Sequence, residues 1–387
     1  MRINIKQTDK NVALLKKLAS KDRVEAEAAH VSLAEFIGPI LQEVINTAPT
    51  LSSLFTKMAF NENDSPSIPL DLYTNTTEDD FLRVWSQSEP GGMPYNQPTP
   101  ATRELKFSTY RLDSAVAFNK KYAQQSRLDI VGKTMERLAQ EVMLKQERNS
   151  AALLLRALAQ AKTKIKGVDT SHVIRAQEAD RFILHDFNRL FTLIKRIYSS
   201  WNGGTAAAGR GRGLTDIIVS PEIVQELRAL AYNPINTRGG VVTGDATKGV
   251  ATTSIALPDA QRQAIYSNGG IPEFYGVNIM EINELGVGYK YNDLFAYFAG
   301  SNSYPAFPST GTGTTFTSAS EEIILGLDLV SSQSLIRPVA VDAENGSEFR
   351  VTPDDQFLVR AGKVGFYGAL EEGRLILDER VLTGCIV

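Results

Sequence analysis

Between Ser126 and Gly167 the chain carries a pattern that one long helix satisfies best. Apolar residues recur at three- and four-residue steps: Leu128, Val131, Met135, Leu138 and Val142, then Leu154, Leu155, Leu158 and Ala161. Ser126 and Asp129 have the spacing of a capping box at its start. Lys162, Lys164 and Lys166 suit the negative end of the helix dipole, and Gly167 suits a left-handed cap. The expected helix spans 126–167, roughly 60 Å, several times the usual length in a globular domain. Its middle, Lys145 to Asn149, is polar all round and interrupts any heptad seam, so we expect a ridge across a flat domain, wet in the middle, rather than a coiled coil.

The flanking segments are organised around that helix. Residues 1–65 read as an arm. Val12, Leu15 and Leu18 form one short amphipathic helix, and the charged stretch from Lys21 to Glu27 follows. Ser32 and Glu35 suggest a second helix start, with Leu33, Phe36, Ile37, Ile40, Leu41, Val44 and Ile45 on its face and a kink or restart at Gly38-Pro39. Neither helix can form a core alone. From residue 66 to 104, six prolines bracket Phe81 to Trp85 and Gly91-Gly92, the composition of a long, proline-stiffened β-hairpin. A projecting two-stranded hairpin is marginal in water. Arg83, Trp85, Met93 and Tyr95 on it are therefore expected to contact another chain.

The next segment, 103–118, alternates as a strand with a phase shift near Asp113-Ser114. After the long helix, Phe182 to Ile197 repeat at helical spacing, and NGGTAAAGRGRG at 202–213 reads as a loop. Ile217 to Val219, Ser220 and Pro221 then give a strand, a cap and a helix start. Gly276 to Ile282 alternates as a strand, and 301–320 reads as a surface excursion. Short strands close the chain at 349–351, 357–359, 364–367, 375–377 and 381–382. The fold class expected is α+β.

Composition excludes several roles. A formal net charge of -3 argues against a strongly basic nucleic-acid binder. No apolar run approaches the roughly 20 residues that cross a bilayer. The single cysteine, Cys385, excludes an internal disulfide framework, and a free thiol is the expected state. His30, His172 and His185 have no metal-ligand spacing. GRGRG lacks the Lys-Ser/Thr of a phosphate loop, and Asp79-Asp80 and Asp354-Asp355 are adjacent pairs that would point to opposite faces of a strand. No catalytic residue, cofactor site or metal site is expected. An enzyme with 66–104 as its lid would need convergent polar groups that the sequence does not offer.

The order of elements resembles the Hong Kong 97-type major capsid protein of tailed double-stranded DNA bacteriophages. The segments that carry the resemblance are KFSTYRLDSAVAFNKKYAQQSRLDIVGKTMERLAQEVMLKQERNSAALL, LTDIIVSPEIVQELRAL, FYGVNIMEI and VRAGKVGFYGALEEGRLILDERV. They span nearly the whole chain, and order and spacing rather than a short motif give the likeness. The resemblance implies an N-arm at 1–65 and an extended loop at 66–104. It implies a peripheral domain at 105–180 and 335–387 with its spine helix, and an axial domain at 181–334. It also implies copies assembling as hexamers and pentamers into an icosahedral shell around double-stranded DNA, contacted non-specifically. The expected partners are a separate scaffolding protein and a portal, with decoration proteins left open. The location would be the virion capsid, assembled in the host bacterial cytoplasm, with no membrane. An encapsulin-like bacterial nanocompartment shell is the alternative. Some relatives cross-link an extended-loop lysine to an asparagine. Here Lys57 and Lys106 flank the hairpin with no lysine between them, so no such bond is expected from the loop. The chain is expected not to be processed at its N-terminus, which the intact mass of the assembled subunit checks.

Overall fold

The computed structural model describes residues 9–18, 20, 22–47, 51–61, 67–69, 104–125, 128–165, 168–178, 181–201, 213–232, 273–305, 313–330, 334–341, 348–354 and 362–387. The fold is α+β. Two compact units divide it: residues 1–151 with 335–377, and residues 152–334 with 378–387.

Unit 1 begins with helices α1 (Asp9–Leu18) and α2 (Arg23–Thr47). A 3₁₀ turn, Leu51–Leu54, leads to β1 (Thr56–Asn61). Strands β2 (Ser67–Pro69) and β3 (Glu104–Lys106) pair antiparallel, and β4 (Tyr110–Asn119) follows. Helix α3 (Lys120–Gln124) joins β4 to α4 (Leu128–Gln160), a 33-residue helix of about 50 Å. Unit 2 adds β5 (Lys162–Ile165), β6 (Val168–Ser171), β7 (Val173–Arg175), α5 (Leu184–Trp201), β8 (Asp216–Val219) and α6 (Pro221–Tyr232). Then come β9 (Glu273–Phe274), β10 (Val277–Glu281), α7 (Lys290–Ala299), β11 (Ser303–Tyr304), β12 (Thr314–Thr315) and β13 (Ile323–Leu327). The chain returns to unit 1 with β14 (Leu335–Val341), β15 (Phe349–Asp354), β16 (Lys363–Glu372) and β17 (Leu375–Ile376). It closes in unit 2 with β18 (Leu382–Ile386).

The unit 1 sheet is built on β16, which pairs β4 along its whole length, from Lys363 opposite Asn119 to Glu372 opposite Tyr110. Its other side takes β15, and Val339 of β14 sits opposite Glu372. Parallel β1 lies beyond β14. Leu15, Leu18, Leu33, Ile37 and Leu41 of the two N-terminal helices are buried in one cluster with Phe118, Met135, Leu138, Val142, Phe349 and Phe366. The segment read as an arm therefore docks on its own chain's sheet and completes that core. The expected second helix start at Ser32 is also moved. Asp22 Oδ1 accepts from Val24 N at 3.1 Å, so α2 starts within the charged stretch. The helix also runs through Gly38-Pro39, because Ile37 and Leu41 on either side are held in the core and offset the lost hydrogen bond.

Two features of α4 correct the expected 126–167 helix. It ends at Gln160, and Lys162–Ile165, whose Thr163 and Ile165 favour extended backbone, pairs antiparallel with β6. Lys162 and Lys164 therefore lie in a strand rather than in the last helical turn, and Lys166 and Gly167 lie outside the described residues. Asn302 Nδ2 and Tyr304 O–H donate instead to the Ala159 carbonyl, at 3.1 and 3.2 Å, closing the helix end with side chains distant in sequence. The middle of α4 is not wet on every side either: Gln146 and Ser150 are buried. Ser126 lies outside the described residues. The strand before α4 breaks at 107–109 rather than at Asp113-Ser114. Along β4, residues 110, 112, 114, 116 and 118 keep one inward phase, with the small Ser114 in line.

In unit 2 the sheet order is β7-β18-β13-β8-β10-β9. β8 and β10 are parallel, β13 runs antiparallel to both β8 and β18, and β7 is parallel to β18. Residues 152–334 and the last ten residues pack as unit 2. At Gly326 on β13 a Cβ would stand 2.6 Å from Leu214 Cδ1 and 2.7 Å from Thr383 Oγ1, an approach that only glycine allows. Ser220 caps α6 as expected, its Oγ accepting from Ile223 N at 3.2 Å. The excursion at 301–320 is anchored: Tyr304 and Phe316 are buried around Phe295, with ring centroids 6.0 and 4.9 Å from it. Phe357 to Val359 lie outside the described residues.

Candidate functional site

The expected contact residues Arg83, Trp85, Met93 and Tyr95 lie outside the described residues, as do Asp79-Asp80, Asp355 and 209–212. The structure describes the base that presents the loop. Ser67 pairs Lys106, Ile68 pairs Leu105 and Pro69 pairs Glu104, so 70–103 leave and rejoin the fold at adjacent points. Beyond the base, Thr109 Oγ1 donates to Glu371 Oε1 at 2.5 Å, and β4 joins β16.

Behind this base lies a buried polar node centred on Glu372, whose exposure is 0%. Its Oε2 accepts from Arg337 Nε at 2.8 Å and from Gln146 Nε2 of α4 at 2.9 Å. Its Oε1 accepts from Arg374 Nη2 at 2.9 Å and from Tyr110 O–H at 3.0 Å. Arg374 also donates to Ser52 Oγ at 3.0 Å and lies over the Phe55 ring. Burial, followed by the Glu372 charge, pushes the Tyr110 phenol above its usual range. Four partners on one carboxylate make this a full set of charge-assisted bonds, tying α4, β4, β14 and the segment before β1 to the end of β16. Close by, Lys57 pairs with the buried Glu348.

The described residues of unit 2 include several buried titratable groups. His172 is buried, with Nδ1 3.0 Å from the Leu382 carbonyl and Nε2 2.7 Å from Thr163 Oγ1, and burial pushes it down to about 4. Neutral His172 donates from Nδ1 and accepts the Thr163 hydroxyl, and so links β5 to β18. Glu322 is buried beside Ser220; burial pushes it up to about 7, the Ser220 bond opposes the rise, and Glu222 and Glu226 add to it. Burial also raises Asp328. Cys385 is a buried free thiol with its ionisation pushed up by burial. His30 is buried with Nε2 2.8 Å from the Gly365 carbonyl, and His185 is exposed. Among the described residues, no group of three or more His, Cys, Asp or Glu side chains could hold a metal ion. No helix among them is long and apolar enough to cross a membrane.

The sequence reading passed over the exposed aromatics of unit 2 and the outward face of α2. Tyr297 on α7 is 79% exposed, one face around from the buried Tyr291 and Phe295. On α2, Val24 is 75% exposed, with Val31 and Phe36 also outward. A two-sided apolar pattern on α2 was the available signal, and grouping Phe36 with the buried face concealed it.

No family model matches the chain, and no curated protein matches it. Solved structures do. The capsid of an empty GTA particle has a TM-score of 0.47 and 11% identity, covering 88% of this chain and 93% of that one. The capsid of the cyanophage P-SCSP1u has a TM-score of 0.42 and 11% identity, covering 86% of each chain. The holo-SrpI encapsulin complex from Synechococcus elongatus has a TM-score of 0.37 and 10% identity, covering 74% of this chain and 76% of that one.

Proposed function

We propose that this chain is a structural, non-catalytic shell subunit, the major capsid protein of a tailed double-stranded DNA bacteriophage. Copies join as hexamers and pentamers into an icosahedral wall. The observation that carries this reading is the placement of the long elements. A 33-residue helix contributes to two separate compact units, and a paired two-strand base, Ser67–Pro69 with Glu104–Lys106, brackets residues 70–103. A soluble enzyme gains little from a strut of about 50 Å or from a loop this long on a two-strand stem. A wall subunit needs both, since its burial is spread over contacts with identical neighbours under closed symmetry. In this reading unit 1 is the peripheral domain and unit 2 the axial one, with 66–104 reaching a neighbouring copy. Scaffolding and portal proteins and packaged DNA are its partners, and its place is the virion.

Sedimentation velocity with nuclease treatment tests the reading. Megadalton particles from phage-infected cells that protect double-stranded DNA support the capsid. Particles that hold protein cargo and no DNA point to an encapsulin-like nanocompartment. Monomers or dimers under every condition contradict both.

A further inference from the structure

The outward faces of α2 and α4 in unit 1 carry opposite charge. On α2, Glu25, Glu27, Glu35 and Glu43 are exposed around Val24, Val31 and Phe36, and no basic side chain is exposed on that face among the described residues. On the first half of α4, Lys133, Arg137 and Lys145 are exposed beside the exposed Glu141 and the half-buried Glu136. The spacing also matches. Glu27 and Glu35 are eight residues apart, as are Arg137 and Lys145, a rise of about 12 Å in each helix. A helix that buries Leu33, Ile37 and Leu41 inward and still exposes three large apolar side chains outward has a second face to cover.

We propose that the acidic-apolar face of α2 docks on the basic face of α4 in a second copy of this chain. The contact uses two different patches, so it is heterologous, and it propagates from copy to copy until a ring or shell closes. This deepens the shell reading and rests on it. The charges set partner choice and register, and Val24, Val31 and Phe36 supply the burial.

The test uses charge reversal and site-directed cross-linking on the full chain. Glu27→Lys with Glu35→Lys, or Arg137→Glu with Lys145→Glu, should raise the concentration needed for assembly about tenfold, as like charges then face each other. Combining all four changes should restore it. Circular dichroism should be unchanged, because every position is exposed. In mixed pools of Val31→Cys and Gln140→Cys chains, a short bis-maleimide should give a dimer band that neither pool gives alone. A dimer band from Val31→Cys alone would mean that α2 meets α2, and would overturn the proposal. So would the absence of any band. If the reversed variants form normal particles, this contact is wrong while the shell reading stands. If the unaltered chain never assembles, both fall.

Discussion

At the scale of single residues, the fold of unit 1 depends on Glu372 keeping its partners. Truncating it to alanine leaves Arg337 and Arg374 buried without their carboxylate, and removing one member of a buried pair costs about 3–5 kcal/mol. Glu372→Ala should therefore lower the urea midpoint far more than Gln146→Ala, which removes one neutral partner. In unit 2, two groups titrate with opposite sign. Folded His172 refuses until about pH 4 a proton that the unfolded chain takes near 6.5. Its contribution is whole above the unfolded value and is lost as pH falls through that window, by about 3 kcal/mol in all. Glu322 keeps its proton up to about 7, against an ordinary value of 4.5. Its contribution is whole below the unfolded value and is lost as pH rises through that window. Urea midpoints across both windows should show the acid-side loss vanish in His172→Gln and the neutral-side loss vanish in Glu322→Gln. Unchanged profiles would contradict the burial of these groups.

At the scale of elements, α1 and α2 belong to a core. Leu33→Ala or Ile37→Ala should cost about 2–5 kcal/mol, as for a buried aliphatic in any core, and deleting residues 1–47 should leave unit 1 unable to fold. A dispensable arm would tolerate both changes, and denaturation of the variants separates the two cases. Gly326→Ala tests the second sheet in the same way, where overpacking should cost about 1–3 kcal/mol. The periodicity of Met135, Leu138 and Val142 made α4 legible, as did the strand-cap-helix run at 217–230. Its end was not legible, because the groups that close it, Asn302 and Tyr304, lie far along the chain. β13 and β14 escaped notice for a related reason. Both are buried nearly throughout, so neither shows the alternation that marks a half-buried strand. The polar node was hidden in plain polar positions: Gln146 reads as solvated until Glu372 is brought against it.

For the whole molecule, the sequence carried the α+β class and the order of the long elements, while the division into units emerged only from packing. Helix α4 crosses the division at Ala151, and the chain returns to each unit after leaving it. Such interleaving places residues 335–377 in unit 1 and residues 378–387 in unit 2. It is consistent with a subunit whose remaining burial comes from neighbouring copies, and the residue-scale and element-scale predictions above hold whether or not those copies are present. The central claim is assembly. Negative-stain electron microscopy of the expressed chain tests it most directly. The account predicts closed shells, hexameric rings or curved sheets of them. A uniform field of compact monomers or dimers, unchanged by concentration or salt, would contradict it.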